Sequence, residues 1–82
     1  MARVVIVGGG LIGCGWAAAC AGGGHDVIVC DPDPTVTTRL HDVWQTAQPV
    51  MAQLEALHSN AIAPKHEMSL NGLSNVDLVQ EA

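Results

Sequence analysis

The sequence predicts an α/β fold built on a parallel sheet, and three observations predict it. Two short runs, Val4-Val5-Ile6-Val7 and Val27-Ile28-Val29-Cys30, are apolar throughout rather than alternating, as strands covered on both faces are. Eight of the nine glycines fall between Gly8 and Gly24, grouped at Gly8–Gly15 and Gly22–Gly24 as turns would be. Between the two groups lies an Ala-rich stretch that favours helix. Strand, turn, helix and strand in that order make a β-α-β unit.

In chain order, the first strand is Arg3–Val7, broken by Gly8-Gly9-Gly10. A helix runs from Leu11 to about residue 21, and Gly22-Gly23-Gly24 stops it by offering φ > 0 positions. The second strand is Asp26–Cys30, closed by Asp31. Pro32 and Pro34 punctuate a turn, with Asp33 placed to cap the next helix and Pro34 at its first position. From Thr35 to about residue 57, Val36, Leu40, Val43, Ala47, Val50, Met51, Leu54 and Leu57 recur every three or four residues, one stripe of an amphipathic helix. Pro49 predicts a kink or restart within it. Residues 59–67 read as a polar connection containing Pro64, Met68-Ser69-Leu70 as a weak strand, and Val76–Val79 as a further strand.

Composition narrows the function. Arg3, Arg39 and Lys65 face eight carboxylates, for a formal net charge of −5. No basic stripe exists to neutralise a nucleic acid or an anionic membrane. A nucleotide ligand is still open to it, because dinucleotide sites hold phosphate with backbone N–H groups and a helix dipole. Trp16 and Trp44 are the only aromatics, so the core draws on Val, Ile, Leu, Ala and Met. Cys14, Cys20 and Cys30 have no metal-type spacing and read as reduced, buried small hydrophobes. His25, His41, His58 and His66 are scattered without paired spacing, so we read them as surface or loop residues and expect no metal site. The uncharged stretch from Val4 to Gly24 resembles a targeting segment, but such a helix would carry eight glycines, each costing about 1 kcal/mol.

The chemistry lies in Gly8-x-Gly10-x-x-Gly13, which joins the first strand to the first helix. Gly8 permits the tight turn, Gly10 lets backbone approach a pyrophosphate, and Gly13 lets the helix lie against the strand. The N–H groups near Leu11 and Ile12 then present the positive end of the helix dipole to the phosphates. Asp31 follows Gly13 by 18 residues, the spacing of the acid that accepts from adenosine ribose hydroxyls. Its other reading is a cap on the following turn. A carboxylate there repels a 2′-phosphate, and no Arg or Lys follows before Arg39 in the next helix, so NAD is favoured over NADP. No nucleophile–base pair or carboxylate dyad stands elsewhere, and Lys65 and His66 read as solvated loop residues.

The run Val4 to Ala17, with Trp16-Ala17 after the glycines, resembles the N-terminal domain of the 3-hydroxyacyl-CoA dehydrogenase family. It looks most like the branch holding the L-carnitine and lambda-crystallin/L-gulonate dehydrogenases. Asp31-Pro32-Asp33-Pro34 before a long helix, and Val79-Gln80-Glu81-Ala82 as the end of a fourth strand, are similar too. The resemblance is specific over residues 1–34 and poor over 58–75, and the sequence departs from it between Leu70 and Val76, where the family fits a strand and a short helix into a longer stretch. It implies a partial Rossmann-type sheet, with residues 1–82 as the N-terminal part of a dinucleotide-binding domain. It implies NAD contacts at Gly8, Gly10, Leu11, Ile12 and Gly13, ribose contact at Asp31 and a backbone contact at Ala82. Family members oxidise a 3-hydroxy group with a His–Glu pair and a dimerising helical domain, both beyond residue 82. The expectation is therefore a fragment of a cytoplasmic, homodimeric oxidoreductase that keeps cofactor recognition and no catalytic residue. Two alternatives stand beside it: the FAD-binding opening of a flavoprotein, which often reads Val-Gly-Gly-Gly-x-Ile-Gly, and a non-catalytic nucleotide-binding fragment that self-associates through its apolar helix stripe.

Overall fold

The two apolar runs form β1 (Arg3–Val7) and β2 (Asp26–Cys30), which pair in parallel from Arg3 opposite Asp26 to Val7 opposite Cys30. A computed structural model describes residues 1–82. Between the strands runs α1 (Leu11–Gly22), and after them α2 (Val36–Gln53), β3 (Lys65–Glu67) and β4 (Leu78–Glu81). The sheet is parallel throughout, in the order β3-β2-β1-β4. An α/β fold of Rossmann type follows, and the strand order reverses between β1 and β4.

Both helices lie on one face. Val4 and Ile6 of β1 and Val27 and Val29 of β2 pack with Cys14, Ala17, Ala18 and Ala21 of α1 and with Val36, Leu40 and Trp44 of α2 in one buried cluster. Small side chains on α1 let the helix approach the sheet closely, which is why an Ala-rich segment serves here. From β3 the chain crosses β2 and β1 to reach β4. The right-handed rule carries residues 68–77 over the opposite face, toward which Val5 and Ile28 point, and both are buried.

Several expectations change. The third strand is Lys65–Glu67, not Met68–Leu70, and it takes the end of the stretch read as a polar connection. Periodicity misses it because only three residues pair, at a sheet edge, with alternating exposure. The fourth strand is shifted two residues, to Leu78–Glu81. Of Gly22–Gly24 only Gly24 has positive φ; Gly22 is the last helical residue and Gly23 caps with φ −77. Asp33 Oδ1 accepts from the N–H and hydroxyl of Thr35, closing a tight turn before the helix, while Thr35 itself is the N-cap. α2 runs through Pro49 without restarting and ends at Gln53. Its stripe buries Val36 and Leu40 and adds Trp44, whereas Val50 and Leu54 stay exposed.

Candidate cofactor site

The site forms at the carboxyl ends of β1 and β2, where the chain turns from β1 into α1. Gly8 sits at φ +110, a region that L side chains avoid, and a Cβ there would lie 2.9 Å from the Ala82 carbonyl oxygen. A Cβ on Gly13 would overlap the Gly8 carbonyl oxygen, so glycine is what lets α1 start against the end of β1. Gly10 differs: nothing lies within 4 Å of where its Cβ would be. Open space in front of bare backbone is what close approach by a diphosphate requires. Gly9 was only a spacer in the motif. Here a Cβ would stand 2.5 Å from both Val36 methyl carbons, so the start of α2 presses directly on the loop.

The first backbone bond of α1 runs from the Cys14 N–H to the Gly10 carbonyl, 2.9 Å. The N–H groups of Leu11, Ile12 and Gly13 precede it and have no acceptor within the helix. Leu11 and Ile12 are 75% and 70% exposed, and α1 has no acidic residue in its first turn. Nothing intrinsic to α1 therefore offsets the positive end of its dipole.

Asp31, just beyond β2, meets this loop. Its Oδ2 accepts from the Gly9 N–H at 2.8 Å and its Oδ1 from the Asp33 N–H at 2.9 Å. It thus caps the following turn, one of the two readings of the sequence, and grips the glycine loop at the same time. The Asp33 and then the Gly9 N–H hold its carboxyl below the usual carboxylate range, helped by the His66 and Arg39 charges. Asp33 is lowered in the same way, mainly by the Thr35 N–H. Burial raises the Cys14 thiol, with the nearby Arg39 charge acting in opposition; burial raises Cys30 as well. Cys14 and Cys30 are buried, Cys20 partly so, and all three are free.

Two residues set aside in the sequence turn out to belong here. Arg39, reached only after a full turn of α2, sends Nη1 to the Gly9 carbonyl oxygen. His66 is neither solvated nor in a loop: it lies half-buried in β3, with Nε2 2.8 Å from the Asp31 carbonyl and Nδ1 2.7 Å from the Thr37 hydroxyl. It ties β3, the end of β2 and the first turn of α2 together. His25 is also half-buried, its Nδ1 accepting from the Ala2 N–H at 3.0 Å. Lys65 does stay exposed. Ala82 follows β4, its N–H donating to the Val7 carbonyl at 2.9 Å, and it stands against Gly8 and Gly13. The residues named from sequence, Gly8, Gly10, Leu11, Ile12, Gly13, Asp31 and Ala82, thus lie together where the strand order reverses. No three His, Cys, Asp or Glu side chains come together as a metal ion would need, and no helix is long and apolar enough to cross a membrane.

An open, bare-backbone turn, unpaired helix N–H groups and a carboxylate beside them form a donor and acceptor set that fits a dinucleotide. The 3-hydroxyacyl-CoA dehydrogenase NAD-binding domain matches residues 3–82. The chain belongs to this family. NAD is its cofactor. The L-carnitine dehydrogenase of Nocardiopsis dassonvillei is 34% identical over 79 residues, covering 96% of this chain and 22% of the relative. The L-carnitine dehydrogenase/betainyl-CoA thioesterase of Ruegeria pomeroyi is 35% identical over 71 residues, or 87% of this chain and 14% of that one. Among solved structures, the (S)-3-hydroxybutyryl-CoA dehydrogenase of Ralstonia eutropha superposes with a TM-score of 0.76 at 29% identity, over 98% of this chain and 30% of that one. A 5-formyl-3-hydroxy-2-methylpyridine 4-carboxylic acid 5-dehydrogenase, described as an NAD+ dependent dismutase, gives 0.78 at 30% identity, over 99% and 28%. The chain thus spans less than a third of the length of each of these relatives.

Proposed function

We propose that residues 1–82 are the N-terminal part of the dinucleotide-binding domain of an oxidoreductase that oxidises a 3-hydroxyacyl-CoA or a 3-hydroxy acid such as carnitine. In such a protein bound NAD takes a hydride from the secondary alcohol carbon. The chain's own residues supply recognition. The N–H groups of Gly10, Leu11, Ile12 and Gly13 face the pyrophosphate, Gly8 shapes the turn, Asp31 accepts from the adenosine ribose hydroxyls, and the Ala82 backbone borders the same crevice. Catalytic side chains and substrate contacts are assigned to other parts of the whole protein, which we read as a homodimer from the family resemblance. Three free thiols suit a reducing, cytoplasmic setting.

The carrying observation is the 2.8 Å bond between the Gly9 N–H and Asp31 Oδ2, which brings the ribose acid and the pyrophosphate turn into one site. Titration calorimetry with NAD and NADP tests it. NAD is expected to bind the more tightly, and Asp31→Ala to weaken it about tenfold, the scale of a lost charge-assisted hydrogen bond. Equal affinity for the two nucleotides, or no effect of the substitution, refutes the assignment.

A further inference from the structure

The turn that must present backbone to a diphosphate consists of three consecutive glycines, Gly8-Gly9-Gly10. Such a run has little conformational preference of its own, so its peptide planes have to be held from outside. Both planes flanking Gly9 are held. The Gly9 N–H is taken by Asp31 at 2.8 Å, which turns the Gly8 carbonyl the opposite way, toward Gly13 of α1. The Gly9 carbonyl is taken by Arg39 Nη1, with the weaker Cys14 thiol 3.5 Å away. All peptides are trans, and in a planar trans peptide the C=O and the following N–H point in opposite directions. Holding the Gly9 carbonyl toward α2 therefore turns the Gly10 N–H away from α2, beside the open space in front of Gly10.

We propose that Arg39 is a positioning residue for the cofactor: through the Gly9 carbonyl it aims the Gly10 N–H at the pyrophosphate. The inference rests on the NAD reading above and deepens it. The guanidinium acts through the main chain, so it need not touch the nucleotide. A planar, permanently charged fork half-buried against the loop suits that task. The role also accounts for a cation beside an NAD-type ribose acid, because its charge is directed at a carbonyl and balanced by Asp31.

The test compares NAD with adenosine, which reaches the ribose acid but carries no phosphate, as ligands of the chain and of its Arg39→Met variant. Circular dichroism checks that the variant is folded. Arg39→Met is expected to raise the NAD dissociation constant about tenfold, equivalent to about 1.4 kcal/mol, and to weaken adenosine far less. The loss should persist in high salt, where direct attraction between guanidinium and diphosphate is screened. Wild-type affinity for NAD, equal losses for NAD and adenosine, or a loss that vanishes in salt overturns the proposal. If Arg39→Met does not fold, Arg39→Lys keeps the charge with a shorter reach; it should show a partial loss for NAD alone, and wild-type behaviour overturns the proposal equally. If Asp31→Ala weakens NAD while the Arg39 variants do not, only the positioning role falls. If the unaltered chain binds no NAD, the positioning role falls together with the cofactor reading.

Discussion

Residues 4–44 and residues 45–82 differ sharply in how they are held. Every buried residue, from Val4 to Trp44, lies in the first region, and none lies in the second. The first region has a side-chain core between sheet and helices. The second buries no residue fully: Ala47, Met51, Leu57 and Ala61 pack half-buried against the edge of that core, β3 and β4 pair with β2 and β1 through the main chain, and point contacts such as His66 with Asp31 and Arg3 with Asp77 add to these. The cofactor turn belongs to the first region and is only bordered by the second. The better-packed part of the chain is thus the part that must hold backbone groups in place for a ligand.

Three expectations follow from this contrast. The largest concerns Leu40, 3% exposed in the α2 core: Leu40→Ala should cost about 3 kcal/mol in urea unfolding, as buried leucine truncations do. A cost below about 1 kcal/mol would break the contrast, because it would mean that the first region is no better packed than the second. A smaller effect comes from Asp31. Its carboxyl is depressed in the fold, so between the folded and the ordinary carboxylate pKa the unfolded chain binds more protons. Its stabilisation is full above the ordinary aspartate range and is lost as pH falls through the folded value. Asp31→Asn should flatten this acid limb in melting temperatures recorded against pH, with a residual limb from Asp33; an unchanged limb would detach Asp31 from the loop. The smallest effect is at Leu78, 53% exposed on β4, where Leu78→Ala should cost less than about 0.5 kcal/mol. A larger loss would show that β4 is held by side-chain packing after all.

What could be read in advance sorts by range. The turn at Gly8, the close approach at Gly13 and the two parallel strands were legible because each depends on one residue's own backbone freedom or on a short apolar run. β3 was not, since Lys65-His66-Glu67 carries no apolar signal and owes its conformation to Ile28, Val29 and Cys30 across the sheet. Trp44 lies outside the three-or-four-residue apolar stripe, yet it is core. Gly9 passed as a spacer because the reason for it is Val36, a residue of the next helix. His66 escapes a local reading for a similar reason, since its partners Thr37 and Asp31 are far away in sequence, whereas Lys65 stays exposed.

By itself the sequence determined that a strand, a bare turn, a helix and a second strand ending in an acid follow one another, because φ > 0, absence of a Cβ and β-branching are local properties. Docking of the later elements brings Arg39 to the Gly9 carbonyl, 30 residues away, and His66 to the Asp31 carbonyl, 35 residues away. Polar contacts of that span leave no periodicity in the chain, and they come into being only once α2 and β3 have docked on the sheet.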